Sequence, residues 1–112
     1  MERRKIPRVL VRVNVELWEN GRMKKKAKGF IKNISLDGMC VATNFQFPVG
    51  ADLVFCLDLR EETKINIYGK IIWQKEVENI YRYGVTFTEL DVREKPKLYR
   101  FILVTIILDE KK

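Results

Sequence analysis

The sequence predicts an all-β fold: six antiparallel strands, arranged as a barrel or a sandwich, followed by one C-terminal helix. Three observations carry that expectation. Apolar and polar residues alternate with period two in short segments between Val9 and Phe87, as in strands with one buried face. Turn signals such as Asn20-Gly21 and Pro48-Val49-Gly50 separate those segments. After Pro96 the apolar spacing changes from strand to helix. Closure into a barrel, or packing as a sandwich, would leave few open strand edges, and the pattern of strands and turns is compatible with either. With 112 residues, 46% of them hydrophobic, the chain is long enough for one core and one domain.

The elements follow in order. Val9, Val11, Val13, Val15 and Leu17 give the first strand an apolar face, and Leu10, Arg12, Asn14 and Glu16 a mostly polar one. Asn20-Gly21 turns the chain into a second strand from about Lys26 to Ile34, and a third runs from Met39 to Thr43. Leu53, Phe55, Leu57 and Leu59 mark the fourth, and Arg60 to Lys64 reads as a polar loop. Ile65, Ile67, Gly69, Ile71 and Trp73 share one face of the fifth, and Tyr81, Tyr83, Val85 and Phe87 one face of the sixth. Pro96 suits a first helical turn, and Leu98, Phe101, Ile102, Thr105 and Ile106 fall on one helical face. That helix is expected to cover one end or side of the barrel. Its apolar remainder packs on the barrel or forms a seam with a second copy or a partner.

Composition narrows the function. Two cysteines and no histidine exclude disulfide-rich and zinc-finger classes and remove the commonest general base. No nucleophile–base pair or metal cluster is visible, so a binder is expected and not an enzyme, with no cofactor. The N-terminus has no apolar signal region, and Phe101 to Leu108 is far too short to span a membrane. Free thiols at Cys40 and Cys56 fit a cytoplasmic location. The formal charge of +7 points to an anionic partner: nucleic acid, a nucleotide or a lipid surface. Basic residues crowd two stretches, Arg3 to Arg12 and Lys24 to Lys32, which form either one anion-binding face or two solvated clusters.

Two constellations can carry chemistry. Arg4-Lys5-Ile6-Pro7-Arg8 is expected to be extended and not helical, because Pro7 removes a backbone donor and restrains Ile6. Arg4 and Arg8 then point the same way, roughly 13 Å apart at about 3.3 Å per residue. Each guanidinium fork can grip a phosphate, a guanine edge or a purine face. Arg8 and Arg12 repeat the interval, and solvated charge is the plain alternative. The second constellation is Asn33-Ile34-Ser35-Leu36-Asp37-Gly38. On an extended strand Asn33 and Ser35 project from one face, offering an amide and a hydroxyl. Gly38 permits a positive φ and a close backbone approach, although an ordinary turn uses the same residue types.

Taken in order, these two motifs on a six-strand pattern resemble the PilZ domain family, with its Arg-x-x-x-Arg and Asp/Asn-x-Ser-x-x-Gly signatures. Gly69-Lys70-Ile71-Ile72-Trp73 and Tyr83-Gly84-Val85-Thr86-Phe87-Thr88-Glu89-Leu90 extend the similarity over essentially the whole chain. The resemblance implies a six-stranded antiparallel β-barrel and binding of the bacterial second messenger cyclic di-GMP. Arg4 and Arg8 would grip its phosphates and guanines, and Asn33, Ser35 and Gly38 would hold a guanine on the barrel. The family position at Asn33 is often Asp. Arg3 would supply a third guanidinium favouring a stacked dimer of the ligand.

On this reading residues 1–8 form a flexible arm carrying the arginine motif. Residues 9–112 form the PilZ-like barrel, with its helix from about residue 94. Ligand binding would order the arm and alter the surface offered to an effector protein. The family's outputs include motility, surface attachment and exopolysaccharide synthesis. The chain would be a monomer or homodimer, with nucleic acid a disfavoured partner. The competing readings are a basic barrel for single-stranded nucleic acid and a PilZ-like scaffold without ligand. Trp73, Tyr81, Tyr83 and Phe87 are expected in the core where they face inward. Asp52, Asp58 and Glu61-Glu62 are expected to be solvated.

Overall fold

Six strands, β1 (Val9–Glu19), β2 (Lys24–Ile34), β3 (Gly38–Thr43), β4 (Asp52–Asp58), β5 (Lys64–Val77) and β6 (Ile80–Glu89), precede one helix, α1 (Lys95–Glu110). The computed structural model describes residues 8–19 and 24–110. All neighbouring strands are antiparallel, and the order β1-β2-β3-β6-β5-β4 closes because β4 pairs back onto β1. Arg60–Glu62, expected as loop, is a short 3-10 turn.

The period-two pattern fills the barrel. Val13, Val15 and Leu17 of β1 meet Ile31 and Ile34 of β2, Leu53, Phe55 and Leu57 of β4, and Ile65, Ile67 and Ile71 of β5, all buried. Near the end where β3 finishes, the rings of Phe45, Phe47 and Tyr83 pack in sequence, the first pair tilted and the second edge-to-face, with centroids 4.7 and 5.9 Å apart. The buried Tyr83 hydroxyl ties that cluster to backbone, accepting from the Phe47 N–H at 2.7 Å and donating to the Phe45 carbonyl at 2.9 Å.

Helix α1 packs across the barrel end where β1 begins and β4 finishes. Leu98, Phe101, Ile102 and Thr105 face inward, as the helical spacing predicts. Arg60, just after β4, donates to Thr105 Oγ1 at 2.8 Å and lies over the Phe101 ring. The opposite face leaves Tyr99, Leu103, Ile107 and Leu108 exposed, so only one side of the apolar segment is on its own barrel. No helix among the described residues is long and apolar enough to cross a membrane.

Several register shifts interrupt the strand pairing, and two of them shape the outer surface. β2 and β3 pair Ile31 with Val41 and then Asn33 with Cys40, leaving Lys32 as the extra residue. β5 and β6 pair Ile71 with Val85 and then Trp73 with Gly84, leaving Ile72 over. One extra residue shifts the phase by one, so each strand presents its other face beyond the bulge. Trp73 therefore does not join Ile71 in the core; it is 44% exposed on the outer surface. Asp52 is exposed as expected, with Lys70 Nζ 3.5 Å from its carboxylate. Cys40 and Cys56 are free and half-buried, and they lie outside the core cluster.

Candidate functional site

The bulge at Lys32 turns Asn33 outward, opposite Leu10 of β1 and Cys40 of β3. Cys40 pairs in turn with Gly84 of β6, and Gly84 with Trp73 of β5. These residues form one row across the barrel's outer surface: Leu10, Asn33, Cys40, Gly84 and Trp73. Arg8, exposed at the head of β1, lies over the row and donates from Nη1 to Asn33 Oδ1 at 2.6 Å.

Gly38 opens β3 beside this row. A Cβ there would stand 2.7 Å from the Val85 carbonyl oxygen and 3.3 Å from Arg8 Nη2. The close approach expected of Gly38 is present. The positive φ is not, since Gly50 is the glycine with positive φ among the described residues. At Gly84 a Cβ would overlap the Trp73 indole. The absent side chain lets the ring lie on the sheet.

Ser35 behaves otherwise than expected. It follows the end of β2, is fully buried, and does not project with Asn33 from one strand face. Its hydroxyl donates to Asp37 Oδ1 at 2.5 Å and accepts from the Asp37 N–H at 3.3 Å. Its own N–H donates to the Gly38 carbonyl at 2.9 Å. The Phe87 N–H donates to the Asp37 carbonyl at 3.0 Å and ties the turn to β6. Ser35 thus holds the turn that presents Gly38 beneath Arg8.

The electrostatics of the row are cationic. Burial pushes the Cys40 thiol above its ordinary value, although Arg82, Arg8 and Lys32 act in the opposite sense from nearby. Cys40 is therefore a neutral, weakly polar part of the floor. Among the sequence candidates, the structure brings together Arg8, Asn33 and Gly38, with Ser35 beneath; Arg3 and Arg4 lie outside the described residues. Trp73 and Leu10 were not singled out for the site. Leu10, at 80% exposure, and Trp73 bound the row at its two ends. The signal available in the sequence was a glycine opposite a tryptophan, which only the strand register makes meaningful.

Comparison with solved structures agrees on the fold. Inhibitor of motility (MotI/DgrA) of Bacillus subtilis superposes with a TM-score of 0.77 at 16% identity, covering 100% of this chain and 54% of that one. The PilZ domain of YcgR from Escherichia coli, solved with c-di-GMP, gives 0.76 at 12% identity over 98% and 96% of the two chains. The c-di-GMP complex of K. pneumonia MrkH gives 0.72 at 18% identity, over 99% and 55%. The chain thus spans about half the length of MotI and MrkH. A search of the curated proteins finds no match. The family model described as the PilZ domain matches residues 2–103, and the chain belongs to the PilZ domain family.

Proposed function

We propose that this PilZ domain is a cyclic di-GMP receptor, not an enzyme, that passes its ligand state to an effector protein. The observation that carries the reading is the convergence of Arg8 with Asn33 and Gly38 on one surface, from two stretches of chain 25 residues apart. The ligand has two phosphodiesters and two guanines. A guanidinium suits both groups, because its fork matches a phosphate or a guanine O6/N7 edge.

The arrangement suggests how binding proceeds. Asn33 is a neutral acceptor for Arg8. A phosphate adds an opposite charge and can take both prongs of the fork, so Arg8 can turn from the amide to the ligand. The freed Asn33 amide then has both donor and acceptor for a base edge. Gly38 leaves room for the ligand backbone, and the Trp73 ring offers an apolar face at the far end of the row. Arg4 would add the second fork, with Arg3 favouring a second, stacked ligand. Fixing the segment that carries these arginines changes the surface presented to a protein partner, which would connect the ligand to motility, attachment or exopolysaccharide output in the cytoplasm.

Isothermal titration calorimetry with cyclic di-GMP tests the reading. Wild type should bind, with Arg4→Ala and Arg8→Ala each weakening binding at least about tenfold, equivalent to about 1.4 kcal/mol. Absence of heat with wild type would end the proposal. A stoichiometry of two ligands per chain supports the role of Arg3.

A further inference from the structure

A second row of side chains lies beside the first on the same outer surface. Phe30 of β2 pairs with Ala42 of β3, Ala42 with Arg82 of β6, and Arg82 with Lys75 of β5. The β1 partner of Phe30 is Asn14, and Arg12 reaches over from the irregular stretch between Leu10 and Val13, its guanidinium carbon 4.0 Å from the Phe30 ring centroid. Arg12, Arg82 and Lys75 are exposed, and Phe30 is 37% exposed. Beyond Phe30 the register runs through Asn14 of β1 to Asp58 of β4, so the stretch from Phe30 to Lys75 holds no carboxylate and Asp58 bounds it.

We propose that this second row, Arg12, Phe30, Arg82 and Lys75, binds the backbone of a single-stranded nucleic acid. The dinucleotide assigned to the first row has only two phosphates. Arg12, Arg82 and Lys75 therefore form a separate cationic track, whatever occupies the first row. From Phe30 to Lys75 the track crosses three strand spacings, about 14 Å, the length of about four stacked nucleotides. The rings favour nucleic acid over other polyanions. The Arg12 guanidinium rests on Phe30 and leaves its outer face for a base, and Trp73 stands at the end of the neighbouring row. Cations interleaved with stacking groups suit alternating phosphates and bases. A lipid headgroup layer or an acidic peptide would engage the charges alone.

The test uses fluorescence anisotropy of 5′-fluorescein-labelled dT15 with the full chain. Three phosphate contacts on a single strand give a log–log salt slope of about −2, so affinity should fall about twentyfold between 50 and 200 mM salt. In Arg12→Gln/Lys75→Gln one contact remains, and the fall should shrink to about threefold. Both positions are exposed, and circular dichroism verifies that the variant folds. No anisotropy change with wild type at 50 mM salt would overturn the proposal. So would unchanged affinity and slope in the double variant, or binding to phosphatidylserine vesicles without binding to dT15. Calorimetry with cyclic di-GMP on the same samples reads the first row separately, so either assignment can fail alone.

Discussion

Arg8 Nη1 donates to Asn33 Oδ1 at 2.6 Å across 25 residues of sequence, joining the head of β1 to the end of β2. The bond is exposed, so it contributes little to stability, typically about 1 kcal/mol or less. Its consequence is positional: it holds a guanidinium fork over the outward row. Asn33→Ala should therefore lower cyclic di-GMP affinity about tenfold, or about 1.4 kcal/mol, and leave the urea midpoint nearly unchanged. Asn33→Asp converts the contact to an exposed ion pair, which still orients Arg8. Calorimetry should find its affinity close to wild type. Loss of binding equal to that of the alanine variant would assign the role to the amide nitrogen.

Ser35 should separate from Arg8 by its effect on stability. Ser35 is fully buried, and its hydroxyl both donates to and accepts from Asp37. Ser35→Ala removes those bonds and should cost about 1–3 kcal/mol in urea unfolding. Ligand binding should weaken too, because Gly38 loses its fixed place. Arg8→Ala should weaken binding at unchanged stability. Equal urea midpoints for the two variants would contradict this division.

The same distinction explains what was legible in the sequence. β1, β4 and β6 obey period two, so Val13, Val15, Leu17, Phe55, Tyr83 and Val85 were assigned inward correctly. Leu98, Phe101, Ile102 and Thr105 marked the helical face for the same reason: one uninterrupted period. The site was harder because it follows bulges. Ile31 and Ile34 are both buried three residues apart, which a regular strand does not permit, and that spacing was the available sign of the bulge at Lys32. Ile71 with Trp73 gave no such sign, since both residues suit a core. Strand alternation points Ser35 outward with Asn33, but β2 ends at Ile34, one residue before Ser35. Arg82 and Lys75 are unremarkable until the register puts them side by side.

Gly84 supports the Trp73 ring directly, and a Cβ would overlap the indole. Gly84→Ala should lift the ring into solvent. In a Trp18→Phe background, which leaves Trp73 as the remaining tryptophan, emission excited at 295 nm or longer, about where tryptophan alone absorbs, should shift to longer wavelength. Cyclic di-GMP should change Trp73 emission in the parent and change it less in the alanine variant. An emission maximum unmoved by Gly84→Ala would mean that the sheet, not the ring, yields.

Tyr83 links stability to alkaline pH. Burial raises its pKa above the ordinary value near 10, against the lowering effect of the Phe47 N–H. The folded state therefore favours the neutral phenol. That contribution is complete below about pH 10 and is lost as pH rises through the raised value. Ionisation also removes the proton donated to the Phe45 carbonyl. Tyr83→Phe leaves the Phe45 carbonyl and the Phe47 N–H without this partner and should cost about 2 kcal/mol at neutral pH. Urea unfolding between pH 8 and 11 should show a steeper alkaline decline in wild type than in the variant. Parallel curves would assign the decline to other groups.

The β5–β6 connection shows strain that can be relieved without touching either row. Val77 pairs with Ile80, so Glu78 and Asn79 alone make the turn, with φ of 52° and 69°. Positive φ at both central residues is the type I′ arrangement, whose backbone twist matches that of the flanking strands. Glutamate is poorly suited to it, because a left-handed conformation costs an L-residue roughly 1–2 kcal/mol. Asparagine tolerates that region better, and glycine enters it freely. Glu78→Asn with Asn79→Gly should therefore stabilise the domain. The gain is expected to be about 1 kcal/mol, because extra backbone freedom of glycine in the unfolded chain offsets part of it. A Tm rise of about 4–8 °C in calorimetry corresponds to that gain for a domain of this size. Cyclic di-GMP affinity should stay unchanged, since the turn lies beyond the end of both rows. A fall in Tm would show that the Glu78 side chain contributes more to the hairpin than its backbone strain removes.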